Sequence, residues 1–301
     1  MNLTNKTDVK ELLKKYNAKP EKYLGQHFIL SKRALSLMIE AAEIKENDTI
    51  IEIGPGLGTL TQELAKTGAT VIAVERDALM VEILKETISD YKNIKIIQSN
   101  AKKISLPLSG IGNRIKGGKD VDKFNKFNKY KIVANLPYNA ATFLIHKWLE
   151  LNPPTGGPPD LMVLMIQKEV AQRMVAKSPH SNLLAMSVQF YADAEIIEYV
   201  SAGSFWPKPK VDAAIIKIVP TRLPAPDGAA DGGQEKNFFR IIKAGFSQPR
   251  KQLIGNLVKR LNIQKEKIVS VFRDFDISER VRAENLSLKQ WQNLTSKLIH
   301  N

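Results

Sequence analysis

Residues 49–67 read TIIEIGPGLGTLTQELAKT, in which an apolar run, a glycine-rich turn and a helical pattern follow one another directly. The run TIIEI is typical of a β-strand that is covered on both faces. The glycines of GPGLG allow a tight turn and let the backbone approach a ligand closely. The stretch that starts at Thr59 predicts a helix. This order of elements indicates an α/β fold with a ligand-binding turn.

Short apolar runs alternate with helical patterns on either side of this stretch. Ser31 and Asp77 are candidate N-caps of two helices, because short polar side chains accept hydrogen bonds from the first backbone N–H groups. The alternation predicts right-handed crossover connections and a parallel sheet. The predicted strands are 49–53, 69–75, 93–98, 131–134, 161–166 and 211–219.

Composition shifts divide the chain into four parts. Residues 1–24 are interpreted as a polar N-terminal arm and residues 25–220 as the α/β domain. Residues 221–236 are Pro- and Gly-rich and predict a linker, and residues 237–301 predict a small helical domain dense in Lys and Arg. Residues 105–129 are a Gly- and Lys-rich insertion, longer than an ordinary connection, which we expect to be mobile.

The composition excludes several classes of site. The 301 residues include no cysteine, which rules out disulfides, zinc–thiolate sites and cysteine nucleophiles and fits a reducing compartment. No metal-ligand spacing is present, and the chain has neither an apolar leader nor a run long enough to span a bilayer, so we expect no metal and a cytoplasmic location. The net charge of +14 attracts polyanions such as RNA, although a basic surface that serves solubility is the alternative.

The glycine turn is a candidate nucleotide site. Gly54 and Gly56 lie in the turn, and Glu75 ends the next strand, where a carboxylate can accept hydrogen bonds from ribose hydroxyls. Thr59 stands where a dinucleotide fingerprint requires glycine, and the Lys of a phosphate-binding loop is absent. A cofactor with a ribose but no phosphate fits better, and S-adenosylmethionine is such a cofactor. The alternative for Glu75 is a solvated carboxylate at a strand end.

Asn100 follows the third predicted strand and should lie at the same edge of the sheet. Open α/β sheets bind ligands there, so its amide could hydrogen-bond to an adenine. An ordinary turn residue is an equally good interpretation.

The tetrapeptide Asn135-Leu136-Pro137-Tyr138 ends the fourth predicted strand. The amino nitrogen of adenine is a poor nucleophile, because its lone pair is delocalised into the ring. Two acceptors aimed at its hydrogens, Asn135 Oδ1 and the Leu136 carbonyl, would localise that lone pair. Pro137 biases Leu136 to an extended conformation, and Tyr138 offers a face on which an extruded base can stack. The alternative is a turn with a packed tyrosine.

A second aromatic stretch, FWPKPK, covers residues 205–210 and precedes the last predicted strand. Phe205 could lie opposite Tyr138 and hold the target base from its other side. A place in the hydrophobic core is an equally good interpretation of Phe205.

Taken together, several motifs resemble the ribosomal RNA adenine dimethyltransferase family over the chain from about residue 20 to its end. NLPY alone would indicate only a methyltransferase acting on an amino nitrogen, and the later motifs make the resemblance specific. The motifs are GQHF (25–28), EIGPGLGTLT (52–61), NLPYNAAT (135–142), QKEVAQRM (167–174), FWPKPKVDAAI (205–215), FSQPRKQL (246–253) and RAENLSL (282–288).

The resemblance implies a Rossmann-like class I methyltransferase sheet over 25–220 and a helical RNA-binding domain over 237–301. It also implies dimethylation of N6 of two adjacent adenosines near the 3′ end of small-subunit (16S) ribosomal RNA, within an assembling 30S particle, by a protein that we expect to be monomeric. By motif position, it assigns cofactor binding to His27, Ile29, Gly54, Gly56, Glu75, Asn100 and Asn135, and the target base to Asn135, Leu136, Pro137, Tyr138 and Phe205.

Three positions depart from the family pattern. His27 stands where many relatives have Asn, Asn100 stands where Asp is usual, and Pro249 replaces a usual Arg. The change at Asn100 predicts weaker cofactor binding, and it keeps open a non-catalytic ribosome assembly factor. A large-subunit adenine methyltransferase of the macrolide-resistance type is the other alternative, because it shares NLPY-like chemistry.

Overall fold

A computed structural model describes residues 1–21, 25–104, 129–138, 140–150, 157–221 and 232–299. The chain divides into two compact units. The first unit comprises Met1–Ala171 and Ala194–Pro220, and the second comprises Gln172–Asp193 and Thr221–Asn301.

The strands and helices alternate over most of the first unit. The strands are β1 Phe28–Ile29, β2 Thr49–Ile53, β3 Thr70–Glu75, β4 Ile94–Gln98, β5 Lys131–Asn135, β6 Leu161–Gln167, β7 Ala192–Val200, β8 Phe205–Trp206 and β9 Ala213–Pro220. The helices are α1 Lys6–Lys15, α2 Lys32–Ala41, α3 Thr59–Ala65, α4 Ala78–Thr87, α5 Ala141–Leu149, α6 Lys168–Val175, α7 Leu183–Tyr191, α8 Gly232–Gly245, α9 Leu253–Leu261, α10 Lys265–Asp274 and α11 Leu288–Ile299.

Seven strands form one sheet in the order β4-β3-β2-β5-β6-β9-β7. The neighbours from β4 to β6 are parallel, as the alternation predicts, whereas β9 runs antiparallel to β6. The parallel strands bring their carboxyl ends to one edge, at Ile53, Glu75, Gln98 and Asn135. That edge lies where the sequence places the ligand site.

Two predicted N-caps hold their helices at the expected residues. Ser31 Oγ accepts a hydrogen bond from the Ala34 backbone N–H at 3.2 Å. Asp77 Oδ1 accepts from the Leu79 N–H at 2.9 Å, which satisfies a backbone donor at the start of α4.

The first unit packs its sheet around a core of branched side chains. Ile50, Val71, Val133 and Val163 from successive strands lie in one cluster with Met38 of α2. The second unit has its own core, in which helices contribute large apolar side chains, including Phe238, Ile241, Leu253, Phe272 and Trp291.

The division into units differs from the predicted boundaries at two places. The N-terminal arm belongs to the first unit, because Leu12 and Leu13 of α1 are buried in a cluster with Leu57 and Met80. Residues 172–193, predicted within the α/β domain, belong to the helical unit, since Phe190 stacks on Phe238 with ring centroids 4.3 Å apart.

Two predicted segments fall largely outside the described residues. The insertion at 105–129 lies there except for residue 129, and so do residues 222–231 of the predicted linker. The end of that linker is helical, because α8 begins at Gly232. Among the described helices, none combines the length and apolar character that a membrane span requires.

Candidate functional site

A cavity of about 240 Å³ opens at the carboxyl ends of the parallel strands, within the first unit. It brings together residues that are far apart in sequence and that the sequence assigns to a single site. The predicted residues that line it are His27, Ile29, Gly54, Gly56, Glu75, Asn100, Asn135, Leu136, Pro137 and Tyr138.

The glycine turn forms one wall of this cavity. Gly54 and Gly56 have φ angles of +68° and +56°, a region of backbone conformation that favours glycine. A Cβ atom on Gly56 would lie 3.2 Å from Phe28 Cε1, closer than ordinary packing allows. The turn therefore presents bare backbone to whatever occupies the cavity.

Glu75 at the end of β3 is held by backbone donors. Its Oε1 accepts from the N–H groups of Arg76 at 2.7 Å and Asp77 at 2.9 Å, and its Oε2 accepts from the Gly56 N–H at 3.3 Å. Burial raises the pKa of this carboxyl, and the three N–H groups oppose the rise. The side chain is thus a fixed hydrogen-bond acceptor that links β3 to the glycine turn.

Glu52 also lines the cavity, although the sequence patterns do not single it out as a site residue. Its side chain is 2% exposed, and its Oε2 has no hydrogen-bond partner within the described part of the chain. Burial raises its pKa to about 8; the nearby Thr61 hydroxyl opposes this rise and the charge of Glu75 adds to it. The signal in the sequence is one acidic residue in the otherwise apolar run that leads into the glycine turn.

Asn135 ends β5 and enters the cavity with its amide oriented by a long-range contact. Its Nδ2 donates to the His27 carbonyl oxygen at 3.1 Å. Because the nitrogen is the donor in that bond, Oδ1 is the acceptor end of the amide.

The backbone that follows Asn135 is tied to neighbouring elements. The Leu136 N–H donates to the Met165 carbonyl at 3.0 Å, and the Ala140 N–H donates to the Pro137 carbonyl at 2.9 Å. The tetrapeptide is therefore a preorganised turn against β6.

Two rings lie side by side in this part of the cavity. The centroids of His27 and Tyr138 are 5.6 Å apart, with the ring planes inclined at 31°. His27 Nδ1 lies 2.7 Å from the Pro207 carbonyl oxygen and therefore carries the proton of that bond. Burial, and secondarily the charge of Asp212, raises the pKa of Tyr138 to about 12, so its ring is neutral at pH 7.

Asn100 lies at the predicted edge and also caps a short 3₁₀ turn, Ala101–Lys103. Its Oδ1 accepts from the Lys102 N–H at 3.0 Å. One end of the amide is thus used by the fold, as the turn interpretation predicts, while the residue still lines the cavity.

Phe205 requires a correction, because it is absent from the residues that line the cavity. It is 3% exposed and lies in the main core cluster of the first unit. Its strand β8 pairs antiparallel with β1, so that Phe205 is opposite Ile29. This pairing places the ring in the core, and a stacking role opposite Tyr138 is not supported.

Comparison with known proteins covers nearly the whole chain. Residues 17–300 match the model of the family described as ribosomal RNA adenine dimethylase. The chain belongs to the ribosomal RNA adenine dimethylase family. Its relatives include the ribosomal RNA small subunit methyltransferase A of Dehalococcoides mccartyi, which is 38% identical over 97% of this chain and 93% of that protein. The protein of the same name from Bacillus pumilus is 36% identical over 96% of this chain and 94% of its own length.

Solved structures of methyltransferases share the fold of this dimethylase family member. A dimethyladenosine transferase from Plasmodium falciparum aligns with a TM-score of 0.69 and 25% identity, over 88% of this chain and 95% of that one. The 23S rRNA methyltransferase ErmE aligns with a TM-score of 0.68 and 19% identity, over 90% and 98% of the two chains, which supports the fold alone. Within the described ranges, no group of three His, Cys, Asp or Glu side chains could hold a metal ion.

Proposed function

We propose that this protein dimethylates N6 of two adjacent adenosines near the 3′ end of small-subunit ribosomal RNA, using S-adenosylmethionine. It would act as a monomer on an assembling small-subunit particle in the cytoplasm. The observation that carries the proposal is the single cavity in which Asn135, Leu136 and Tyr138 meet the glycine turn and Glu75. Membership of the dimethylase family supports the same substrate class.

The cavity has the donor and acceptor set that S-adenosylmethionine requires. Glu75 provides a buried acceptor for ribose hydroxyls. The unpartnered Oε2 of Glu52 provides an acceptor for an ammonium group, which also bears a positive charge that suits a carboxylate. Residues 54–58 contain no Lys or Arg, as expected for a ligand without phosphate. When bound, S-adenosylmethionine supplies an electrophilic methyl group.

Asn100 would contact the adenine of the cofactor through its remaining amide group. Since its Oδ1 already accepts from the Lys102 N–H, Nδ2 is the donor that a ring nitrogen would accept from. His27 and Ile29 would close the cofactor side of the cavity, which both residues line.

Asn135 and Leu136 would orient the target amino group. The Asn135 Nδ2–His27 bond fixes Oδ1 as one acceptor, and the Leu136 carbonyl supplies the second. Both are in place before the substrate arrives, so their alignment costs little at the moment of reaction. The nitrogen needs no general base before transfer, because its proton becomes acidic once the methyl group is attached.

Tyr138 would hold the extruded base by stacking, next to the His27 ring. Such a contact contributes about 1–3 kcal/mol per base and accepts any base with a π-face. Pro137 completes the turn that presents the ring.

The second unit offers a basic groove that would bind RNA phosphates. Such contacts give affinity without sequence readout and weaken with salt. The groove includes the motif FSQPRKQL, and its basic residues are Arg250, Lys251, Lys259, Arg260, Arg280 and Arg282.

The proposal is tested with methyl-labelled S-adenosylmethionine and small ribosomal subunits that lack the modification. After digestion to nucleosides, the label should be found in dimethyladenosine. The control is Asn135→Ala, which should bind the cofactor and the RNA but transfer little label.

Two other results would each replace the proposal. Label found only in naked large-subunit RNA would make the protein a large-subunit methyltransferase. No transfer, together with no cofactor binding by calorimetry, would favour a non-catalytic assembly factor, the alternative that Asn100 keeps open.

A further inference from the structure

The most exposed aromatic side chain in the described part of the chain lies beside the cavity. Phe143, on the first turn of α5, is 53% exposed. Its neighbour Leu144 is 1% exposed and lines the cavity, and so does Ala140. A phenylalanine that leaves half its surface in water at the edge of a site forgoes the hydrophobic burial that its ring could gain.

A lysine lies over this ring. Lys102 Nζ is 5.6 Å from the Phe143 centroid, within the range of a cation–π contact. Lys102 is itself exposed and lines the cavity, so the pair stands at its rim.

A second lysine fixes the position of this pair. Lys147, one turn after Phe143 on α5, donates to the carbonyl of Lys102 at 2.9 Å and to that of Ile104 at 2.6 Å. These bonds hold the 3₁₀ turn against α5. The relative position of ring and ammonium is thus set by the fold and not only by two flexible side chains.

The local charge favours a polyanion. Residues 93–104 contain three lysines, at 95, 102 and 103, and no Asp or Glu. An exposed aromatic face combined with lysines is the arrangement that proteins use to bind single-stranded nucleic acid, with a base on the ring and a phosphate on the cation.

We propose that Phe143 and Lys102 form a second stacking site, the rim platform, which binds the nucleotide next to the target adenosine. This proposal rests on the proposed function, since it takes RNA as the substrate. The base of the neighbouring nucleotide lies on the Phe143 ring and its phosphate lies near Lys102. Phe143 acts as a positioning residue that keeps the flanking strand at the mouth of the cavity while the target base is inside.

The test compares Phe143→Ala and Phe143→Tyr with the unaltered protein in methyl transfer to RNA. Phe143→Ala should raise KM for the RNA roughly tenfold, the effect of losing about 1.4 kcal/mol of stacking, and change kcat less than about twofold. Phe143→Tyr keeps the ring and should restore KM. A fall in kcat with an unchanged KM would overturn the proposal.

The chain contains a matched control. Tyr199 is 47% exposed and has Lys168 Nζ 4.9 Å from its centroid, but neither residue lines the cavity. Tyr199→Ala should leave KM unchanged. An equal rise of KM in both alanine variants would show a general loss of surface contacts and would refute a specific platform.

A second measurement needs no turnover. An RNA with 2-aminopurine on either side of the target adenosine is titrated with protein and S-adenosylhomocysteine. Binding should quench one of the two probes, and Phe143→Ala should abolish that quenching. If the unaltered protein transfers no methyl groups but still quenches the probe through Phe143, the proposed reaction fails while the platform stands. If the protein is active but the quenching does not depend on Phe143, the platform fails while the proposed reaction stands.

Discussion

Replacing Glu75 by glutamine tests how the cavity binds its cofactor. The carboxylate accepts three backbone N–H bonds, from Gly56, Arg76 and Asp77, at 3.3, 2.7 and 2.9 Å. An amide has the same shape but only one acceptor atom. In Glu75→Gln, a new NH₂ group would face either the Gly56 N–H or the cofactor ribose, and the negative charge would be lost.

The expected loss follows from the value of one hydrogen bond to a charged group, about 1.5–3 kcal/mol. Cofactor affinity should therefore fall about 10- to 150-fold. Stability should change little, because burial raises the pKa of the Glu75 carboxyl, which means that the fold disfavours its charge. The binding effect can then be separated from unfolding.

Calorimetry with S-adenosylhomocysteine measures the change without turnover. The matched control is Asp77→Asn, which removes a charge two residues away, outside the cavity lining, and keeps a good N-cap for α4. Affinity within twofold of the unaltered protein in Glu75→Gln, or an equal loss in Asp77→Asn, would refute the role of Glu75.

Four further substitutions test other parts of the site. Asn135→Ala should lower kcat about 10²- to 10³-fold in single-turnover methyl transfer, as expected for loss of a preorganised hydrogen-bonding group, and a near-normal rate would contradict that role. Asn100→Asp should tighten cofactor binding about fivefold by calorimetry, because a carboxylate accepts more strongly from an adenine amino group; weaker binding would count against the contact. Burial raises the pKa of Glu52 from 4.5 to about 8, so the folded protein keeps a proton that the unfolded chain loses, and stability falls as the pH rises between these values. Glu52→Gln should remove this decline, gaining a few kcal/mol at pH 8.5 and nothing at pH 4 in urea unfolding; equal gains at both pH values would exclude titration as the cause. Gly58→Ala should destabilise the protein by about 2 kcal/mol, because φ is +91° and the new Cβ would lie 2.8 Å from a side-chain carbon, whereas Gly255→Ala, with open space around it, should gain about 0.5–1 kcal/mol in thermal unfolding.

Local patterns in the sequence are sufficient for the part of the fold that positions the site. The strand, glycine turn and helix of residues 49–67 occur as predicted, and Ser31 and Asp77 cap their helices. These features depend on neighbouring residues alone, which is why a single sequence predicts them. The convergence of Gly54, Glu75 and Asn135 follows from the parallel order of the strands.

Other features depend on partners that are distant in sequence. The Asn135 amide is oriented by the His27 carbonyl, 108 residues away, and no local pattern encodes that contact. Phe205 fits a stacking role and a core role equally well until the pairing of β8 with β1 places it in the core. The sequence pattern does not predict strand β7, because its residues ADAEIIEYV include three charged side chains, as a strand at the edge of a sheet allows.

The boundary between the units is also hidden from local patterns. Helix α7 is apolar enough for an α/β domain, but its Phe190 packs with Phe238 and Phe239 of α8. Which core a buried helix joins is a matter of tertiary contacts, and its own periodicity does not decide it.

A crystal structure with S-adenosylhomocysteine would test most directly whether methyl donor and target base share one cavity. We expect the ribose hydroxyls within hydrogen-bond distance of Glu75, the adenine beside Asn100, and the sulfur facing Asn135. Density for the ligand at any other place, or a ligand whose sulfur faces away from Asn135, would contradict the proposed reaction geometry.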